Sequence, residues 1–253
     1  MESLKKGVMH GHGMDGRGCV FSLRWLCLLL MFAMAGELKA QTHRWEKELE
    51  FSGHGTTQTK LIPMLGEKIR VRYQARNRAA ATIDLLAPDG QLISHLFRYQ
   101  NLQTPNTETR PITPGVEQAA LRVEGDINGW TVTVEQYIDE IAGWNLFKWR
   151  RDEAARAQKR LTRHAMWVGE ASEEMSQNVT IPAQRWRITA KTHQAGRFKY
   201  EVLNANRAVI ISNYRLTEGE SESWVYGQGE FIINCSSIGT QWDLTIDVDE
   251  ETE

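Results

Sequence analysis

The sequence predicts an all-β protein. Two duplicated antiparallel β-sandwich domains of jelly-roll-like type are joined by an α-helical connector, after an N-terminal signal peptide. Three observations carry this expectation. Apolar and polar residues alternate over short runs separated by turn residues, which is the period of half-buried strands. The apolar pattern of the first half recurs in the second. One stretch between the halves is made of strong helix formers. At 41% hydrophobic and 25% charged residues, the composition is that of an average globular protein, which excludes wholesale disorder and a multi-span membrane protein. Thirty basic against 32 acidic residues give a net charge of −2, so there is no global basic field for a nucleic-acid partner.

The leader comes first. Trp25 to Ala35 is an 11-residue apolar run preceded by Lys5, Lys6, Arg17 and Arg24 and followed by Ala33, Ala35, Gly36 and Ala40. It is far shorter than the roughly 20 residues that span a bilayer. A basic region, a short apolar core and a small-residue exit read as a signal peptide over residues 1–40. An uncleaved anchor is the other reading. Met14 rather than Met1 as the start would give a more ordinary leader. Without residues 1–40 the chain keeps 25 basic and 29 acidic residues, a net −4, and Cys235 is its only cysteine. An exported chain with no internal disulfide must be stabilised by its core, a pattern that suits a bacterial envelope, periplasmic or extracellular.

The repeat follows. An offset of 117 carries Gly66-Glu67-Lys68-Ile69-Arg70-Val71 onto Ala183-Gln184-Arg185-Trp186-Arg187-Ile188, Ile83-Asp84-Leu85 onto Tyr200-Glu201-Val202, and Phe97-Arg98 onto Tyr214-Arg215. The offset then drops to 112, carrying Gly115 onto Gly227 and Trp130 to Glu135 onto Trp242 to Asp247. One five-residue deletion in the polar loop Gln103 to Pro114 accounts for the change, at a place where length is freely altered. Phe51-Ser52-Gly53 meets Trp167-Val168-Gly169 at an offset of 116. Ile69, Val71 and Tyr73 alternate with Arg70 and Arg72, and Trp186 and Ile188 with Arg187 and Thr189, each a strand with one buried face. Ala87-Pro88-Asp89-Gly90-Gln91 is a turn by composition and makes a hairpin of Ile83–Leu86 and Leu92-Ile93. Leu121–Val123 and Trp130–Val134 are expected to form a second hairpin.

Between the copies, Trp144 to Arg163 carries seven basic and two acidic residues. Gly143 marks the expected helix start, and Trp144, Phe147, Arg151, Ala154 and Leu161 fall near one face. The plain reading is a connector helix whose aromatic end docks on a sandwich. The sharper one is an interfacial helix for anionic lipid or another protein. The resulting division is signal peptide 1–40, repeat one 41–138, basic connector 139–164, repeat two 165–249 and acidic tail 250–253.

One copy resembles a known family. Leu65 to Val71, Ile83-Asp84-Leu85-Leu86-Ala87-Pro88-Asp89-Gly90, and Ala120 to Gly125 with Trp130 to Val134 are similar to the strand, "dpdG" turn and closing hairpin of bacterial pre-peptidase C-terminal domains. The second copy departs from the pattern, with Asn204-Ala205-Asn206-Arg207 in place of the turn. The resemblance implies a jelly-roll-like, non-catalytic accessory module of exported proteins.

Chemistry-bearing motifs are few. His43, His54, His95, His164 and His193 have no zinc spacing, and Cys235 has no cysteine partner. Gly53-His54-Gly55-Thr56-Thr57 precedes a strand, not a helix, and reads as a turn. No catalytic residue, metal ligand or cofactor is assigned. Equivalent acids, Asp84 with Glu201 and Glu135 with Asp247, could form a calcium site in each copy; outward polar strand positions are the plainer reading. Trp130 and Trp242 share the phase of core valines. Tyr99, Trp224 and Tyr226 are the candidate ligand-binding residues, an aromatic platform for sugar or peptide. The expected function is an exported, non-catalytic binding or adaptor protein whose partner is a carbohydrate or an envelope protein. Membrane contact is expected only through the leader or the basic helix. The alternatives are a structural or assembly component of the envelope and, behind it, a secreted hydrolase with a dispersed site.

Overall fold

Strands whose side chains alternate in polarity must bury one face, and this chain does so by pairing sheets face to face. The computed structural model describes residues 42–75, 80–100 and 105–249, with only the backbone of 155–160. The leader and the acidic tail lie outside the described residues. The first half contains β1 (Arg44–Gly53), β2 (Gly55–Gln58), β3 (Ile62–Pro63), β4 (Lys68–Ala75), β5 (Ala81–Leu86), β6 (Leu92–Tyr99), β7 (Asn106–Pro111), β8 (Gln118–Glu124) and β9 (Trp130–Ile138). Helix α1 (Glu140–Arg160) follows. Then come β10 (Leu161–Gly169), β11 (Glu174–Ile181), β12 (Arg185–Thr192), β13 (Arg197–Asn204), β14 (Val209–Arg215), β15 (Gly219–Tyr226), β16 (Gly229–Ile238) and β17 (Trp242–Asp249).

The protein is an all-β antiparallel sandwich with jelly-roll strand order. One four-stranded sheet runs β1-β9-β4-β7 and another β10-β17-β12-β15. The third, nine-stranded sheet runs β11-β16-β13-β14-β2-β8-β5-β6, with β3 also on β8. It backs both four-stranded sheets, and each half encloses its own core. Ile69, Val71, Tyr73, Ile83, Leu121, Val132 and Val134 lie in the first. Trp186, Ile188, Tyr200, Val202, Ile233, Leu244 and Ile246 lie in the second.

Two local devices recur in both halves. Gly53 faces Trp130 across β1 and β9, and Gly169 faces Trp242 across β10 and β17. Each indole lies where a Cβ on its glycine would stand, so any larger residue would collide with a buried ring. The ladder also slips once in each pair, between Lys47 and Leu49 and between Arg163 and Ala165. These bulges place Glu48 and His164 at equivalent points.

Several expectations are corrected. Leu121–Val123 and Trp130–Val134 do not form a hairpin: β8 belongs to the nine-stranded sheet and β9 to a four-stranded one. The loop between them crosses the sandwich, tied by Tyr73 Oη accepting from Asp126 N at 3.2 Å and by Trp130 Nε1 donating to Gly55 O at 3.0 Å. The helix starts at Glu140 rather than Gly143, because the Asp139 side chain caps it by accepting from Ala142 N at 2.7 Å. β10 opens at Leu161, within the span assigned to the connector, since Leu161, Thr162 and Arg163 pair with Asp249, Val248 and Asp247. The aromatic end of α1 does not dock: Trp144 and Phe147 are 67% and 58% exposed. Leu146 is buried, 1% exposed, and Arg150 ties α1 to β1 through Lys47 O and Glu48. The β6 equivalence also moves by one residue. A bulge after Ile83 puts Thr82 opposite Arg98, whereas Lys199 is opposite Tyr214. Tyr99 therefore corresponds to Arg215.

Candidate functional site

The halves meet along a seam with two parts. At the sheet edge, β14 pairs with β2 through Ser212 with Thr56 and Asn213 with Gly55. Gly55 has φ +74°, and a Cβ there would strike the Ser212 carbonyl, so the close approach requires glycine. Beside it, Trp224 and Tyr226 on the outer face of β15 pack on Leu61, Leu86 and Ala120 of the first half, with Leu161 alongside. Tyr226 Oη donates to Thr59 O at 2.7 Å. Burial pushes the Tyr226 phenol far above its ordinary value, so it remains a donor.

A cleft of about 370 Å³ opens along this seam. Phe51, His54 and Lys60 line it from the first half, and Arg215, Ser221 and Trp224 from the second. Glu222 at its rim is held from two sides. It accepts from Trp224 Nε1 at 2.8 Å and from Arg187 Nη1 at 3.2 Å. Lys60 and Arg215 on one side and Glu220 and Glu222 on the other leave the lining without a dominant charge sign.

Polar groups that face into the second sandwich stand behind the cleft. Tyr200 Oη and Ser223 Oγ are 3.1 Å apart, and Asn213 Nδ2 donates to Thr57 Oγ1 at 3.2 Å. Arg215 Nη1 donates to Glu220 O at 2.7 Å. Burial lowers the Arg215 pKa and raises that of Tyr200 to about 12. Three buried polar atoms here lack a well-formed hydrogen bond among the described residues: Asn213 Oδ1, Arg215 Nε and Ser221 Oγ, the last interacting with the Tyr200 hydroxyl. Each such group is costly, at about 1–3 kcal/mol when nothing satisfies it. The first half differs at some of the matching positions and is polar at others, with Asn106 and Glu108 where Ser221 and Ser223 stand. Tyr200 corresponds to Ile83, and the ladder puts Asn213 and Arg215 where Phe97 and Tyr99 stand.

The structure separates the three aromatics singled out from sequence. Tyr99 ends β6 in the first half, 37% exposed, with its hydroxyl donating to Glu108. Trp224 and Tyr226 are 8% and 7% exposed. They form no open platform, because the first half covers the face that sequence alone left bare. Trp224 still contributes to the cleft lining. Sequence reasoning missed Asn213, Arg215 and Ser221. The signal at Asn213 was a polar residue at inward strand phase where the other half has Phe97.

The equivalent acids each engage a basic side chain. Arg70 Nε donates to Glu135 at 2.6 Å, and Arg187 Nη2 to Asp247 at 2.7 Å, as directly opposed cross-strand pairs. Asp84 lies 2.6 Å from His95 Nδ1, and Glu201 2.6 Å from Lys199 Nζ. Among the described residues no cluster of three or more His, Cys, Asp or Glu is placed to hold a metal ion.

No family model matches the chain, and no curated protein does. Among solved structures, it is similar to the conserved protein of unknown function PA5104 from Pseudomonas aeruginosa PAO1, at 9% identity and TM-score 0.27, covering 81% of this chain and 83% of that one. It is similar to the PBSX exported protein XepA at 9% identity and TM-score 0.28, covering 81% and 85%. A223, a turret protein of Sulfolobus turreted icosahedral virus, matches at 14% identity and TM-score 0.28, covering 83% and 99%. Likeness at this level transfers no function.

Proposed function

We propose that this is an exported, non-catalytic binding protein, built by duplication of one jelly-roll unit, whose seam cleft holds a neutral polar ligand of the carbohydrate class. The observation that carries the reading is the set of buried polar atoms of Asn213, Arg215 and Ser221 behind the cleft that lack a well-formed hydrogen bond among the described residues. The first half carries Phe97 and Tyr99 where Asn213 and Arg215 stand, so those two side chains are not a requirement of the fold. Sugars supply the donors and acceptors that satisfy such groups, and Trp224 and Phe51 give apolar surface beside them. The mixed charge of the lining favours a neutral ligand over an ion. Export is supported by the leader at residues 1–40, and an accessory role by the resemblance to pre-peptidase C-terminal modules.

Retention on immobilised polysaccharides and on a glycan array tests this. The intact protein is expected to be retained by at least one glycan. Ser221→Ala and Arg215→Met should each weaken retention tenfold or more while the circular dichroism spectrum is unchanged. Absence of retention on every glycan, or retention of both variants equal to that of the unaltered protein, would sink the reading. A role as a structural or assembly component of the envelope is the second reading. It draws support from the exposed apolar face of α1.

A further inference from the structure

Helix α1 is mounted with its apolar side outward. Its inward side is fixed by buried Leu146 and by Arg150, which donates to Lys47 O and bonds Glu48 at 3.2 Å. Its outward side presents Ile141, Trp144 and Phe147 at 66%, 67% and 58% exposure, with the two rings 6.0 Å apart. At about 100° per residue, these three side chains and exposed Lys148 and Arg151 share an arc of roughly 120°. Arg151 also bonds Asp152 at 3.0 Å, and exposed Glu140 in the first turn falls inside the same arc, between Phe147 and Arg151.

We infer that this face docks on an anionic lipid surface. Tryptophan and phenylalanine beside lysine and arginine, on a helix lying flat, match the headgroup layer of a bilayer. There the rings sit at the polar–apolar boundary and the cations meet lipid phosphates. A second protein copy fits less well. Stable interfaces bury about 1,200–2,000 Å² in total, and polar Asn145, Lys148 and Arg151 surround the three apolar side chains. The helix does not enter the membrane as a span: among the described residues none is long and apolar enough to cross one. This docking is independent of the seam cleft, which lies on other elements.

The test is co-sedimentation of the full chain with vesicles of phosphatidylcholine alone and of phosphatidylcholine with phosphatidylglycerol. Any contribution of the leader is common to every variant and cancels in the comparison. The unaltered protein is expected to prefer the phosphatidylglycerol vesicles. Trp144→Ser with Phe147→Ser should lower partitioning at least tenfold, and Lys148→Glu with Arg151→Glu should abolish the anionic preference. Both pairs are exposed, so the melting temperature serves as the folding control. Equal partitioning by the Trp144 and Phe147 variant overturns the inference. So does concentration-dependent self-association of the unaltered protein, read by light scattering, that this variant abolishes.

Discussion

The two halves share a strand order, a glycine–tryptophan pair, a bulge and a cross-strand arginine–carboxylate pair, yet they differ in what lies on and behind those features. In the second half, Trp224 and Tyr226 stand on the outer face of β15 and seal the seam. The ladders place Thr109 and Pro111 at the matching positions of β7, both exposed. The difference confines the aromatic seal to one of the two outer faces. β6 and β11 end the nine-stranded sheet and are the counterparts of the β14 and β2 edges that join inside the chain. The second half likewise carries Asn213 and Arg215 where the first has Phe97 and Tyr99.

Substitutions at matched positions probe this asymmetry. The largest effect is expected at Trp224. Trp224→Ala should cost about 3–5 kcal/mol, because it empties a buried seam, whereas Thr109→Ala should stay within about 0.5 kcal/mol. Denaturant melts would show both, and equal costs would mean that the seam contributes little to stability. Next come the glycines. Gly53→Ala and Gly169→Ala should each cost about 1–3 kcal/mol by overpacking. Gly169 should be the worse, since its added Cβ would press on Cε2, Cζ2 and Nε1 of Trp242. The reverse order would place the tighter packing in the first half.

A smaller contrast concerns the indoles. Trp130 Nε1 donates to Gly55 O, whereas Trp242 Nε1 is buried without a partner among the described residues. Trp130→Phe should therefore cost about 1 kcal/mol more than Trp242→Phe, and identical melting shifts would remove the distinction. The smallest effect lies at the bulges. Burial first, opposed by Arg150, raises the Glu48 pKa above its ordinary 4.5, while the equivalent His164 is exposed. A carboxyl raised in the folded state is stabilising when protonated. Its contribution falls as pH climbs from 4.5 through the raised value. Glu48→Gln should gain in melting temperature relative to the unaltered protein as pH goes from about 4 to about 7. A gap that is constant across that range would count against the burial of this charge.

Much of the fold was legible because strand faces are written with period two. Ile69–Tyr73 and Trp186–Ala190 point inward as their alternation required, and the offsets of 117 and 112 reappear in the ladders that set Asp84 opposite Arg122 and Glu201 opposite Asn234. The β8–β9 connection was misread because sequence proximity cannot say whether a short loop turns within one sheet or crosses to the facing one. Trp144 and Phe147 were read as docked because apolar side chains on a helix usually bury. Which face turns inward was decided by the Asp139 cap and by Arg150 reaching Glu48, both set by the path of β1 and β9.

The sequence by itself determined the alternating strands, their inward faces, the core phase of Trp130 and Trp242, and the helix between the halves, because each rests on local periodicity or local propensity. Only the tertiary structure decided that Trp224 and Tyr226 are covered rather than open. It also decided that Asn213, Arg215 and Ser221 gather behind one cleft, and that α1 turns its aromatic side outward. These are consequences of how the outer face of one sandwich meets the other. No residue's own neighbours in the chain encode that meeting.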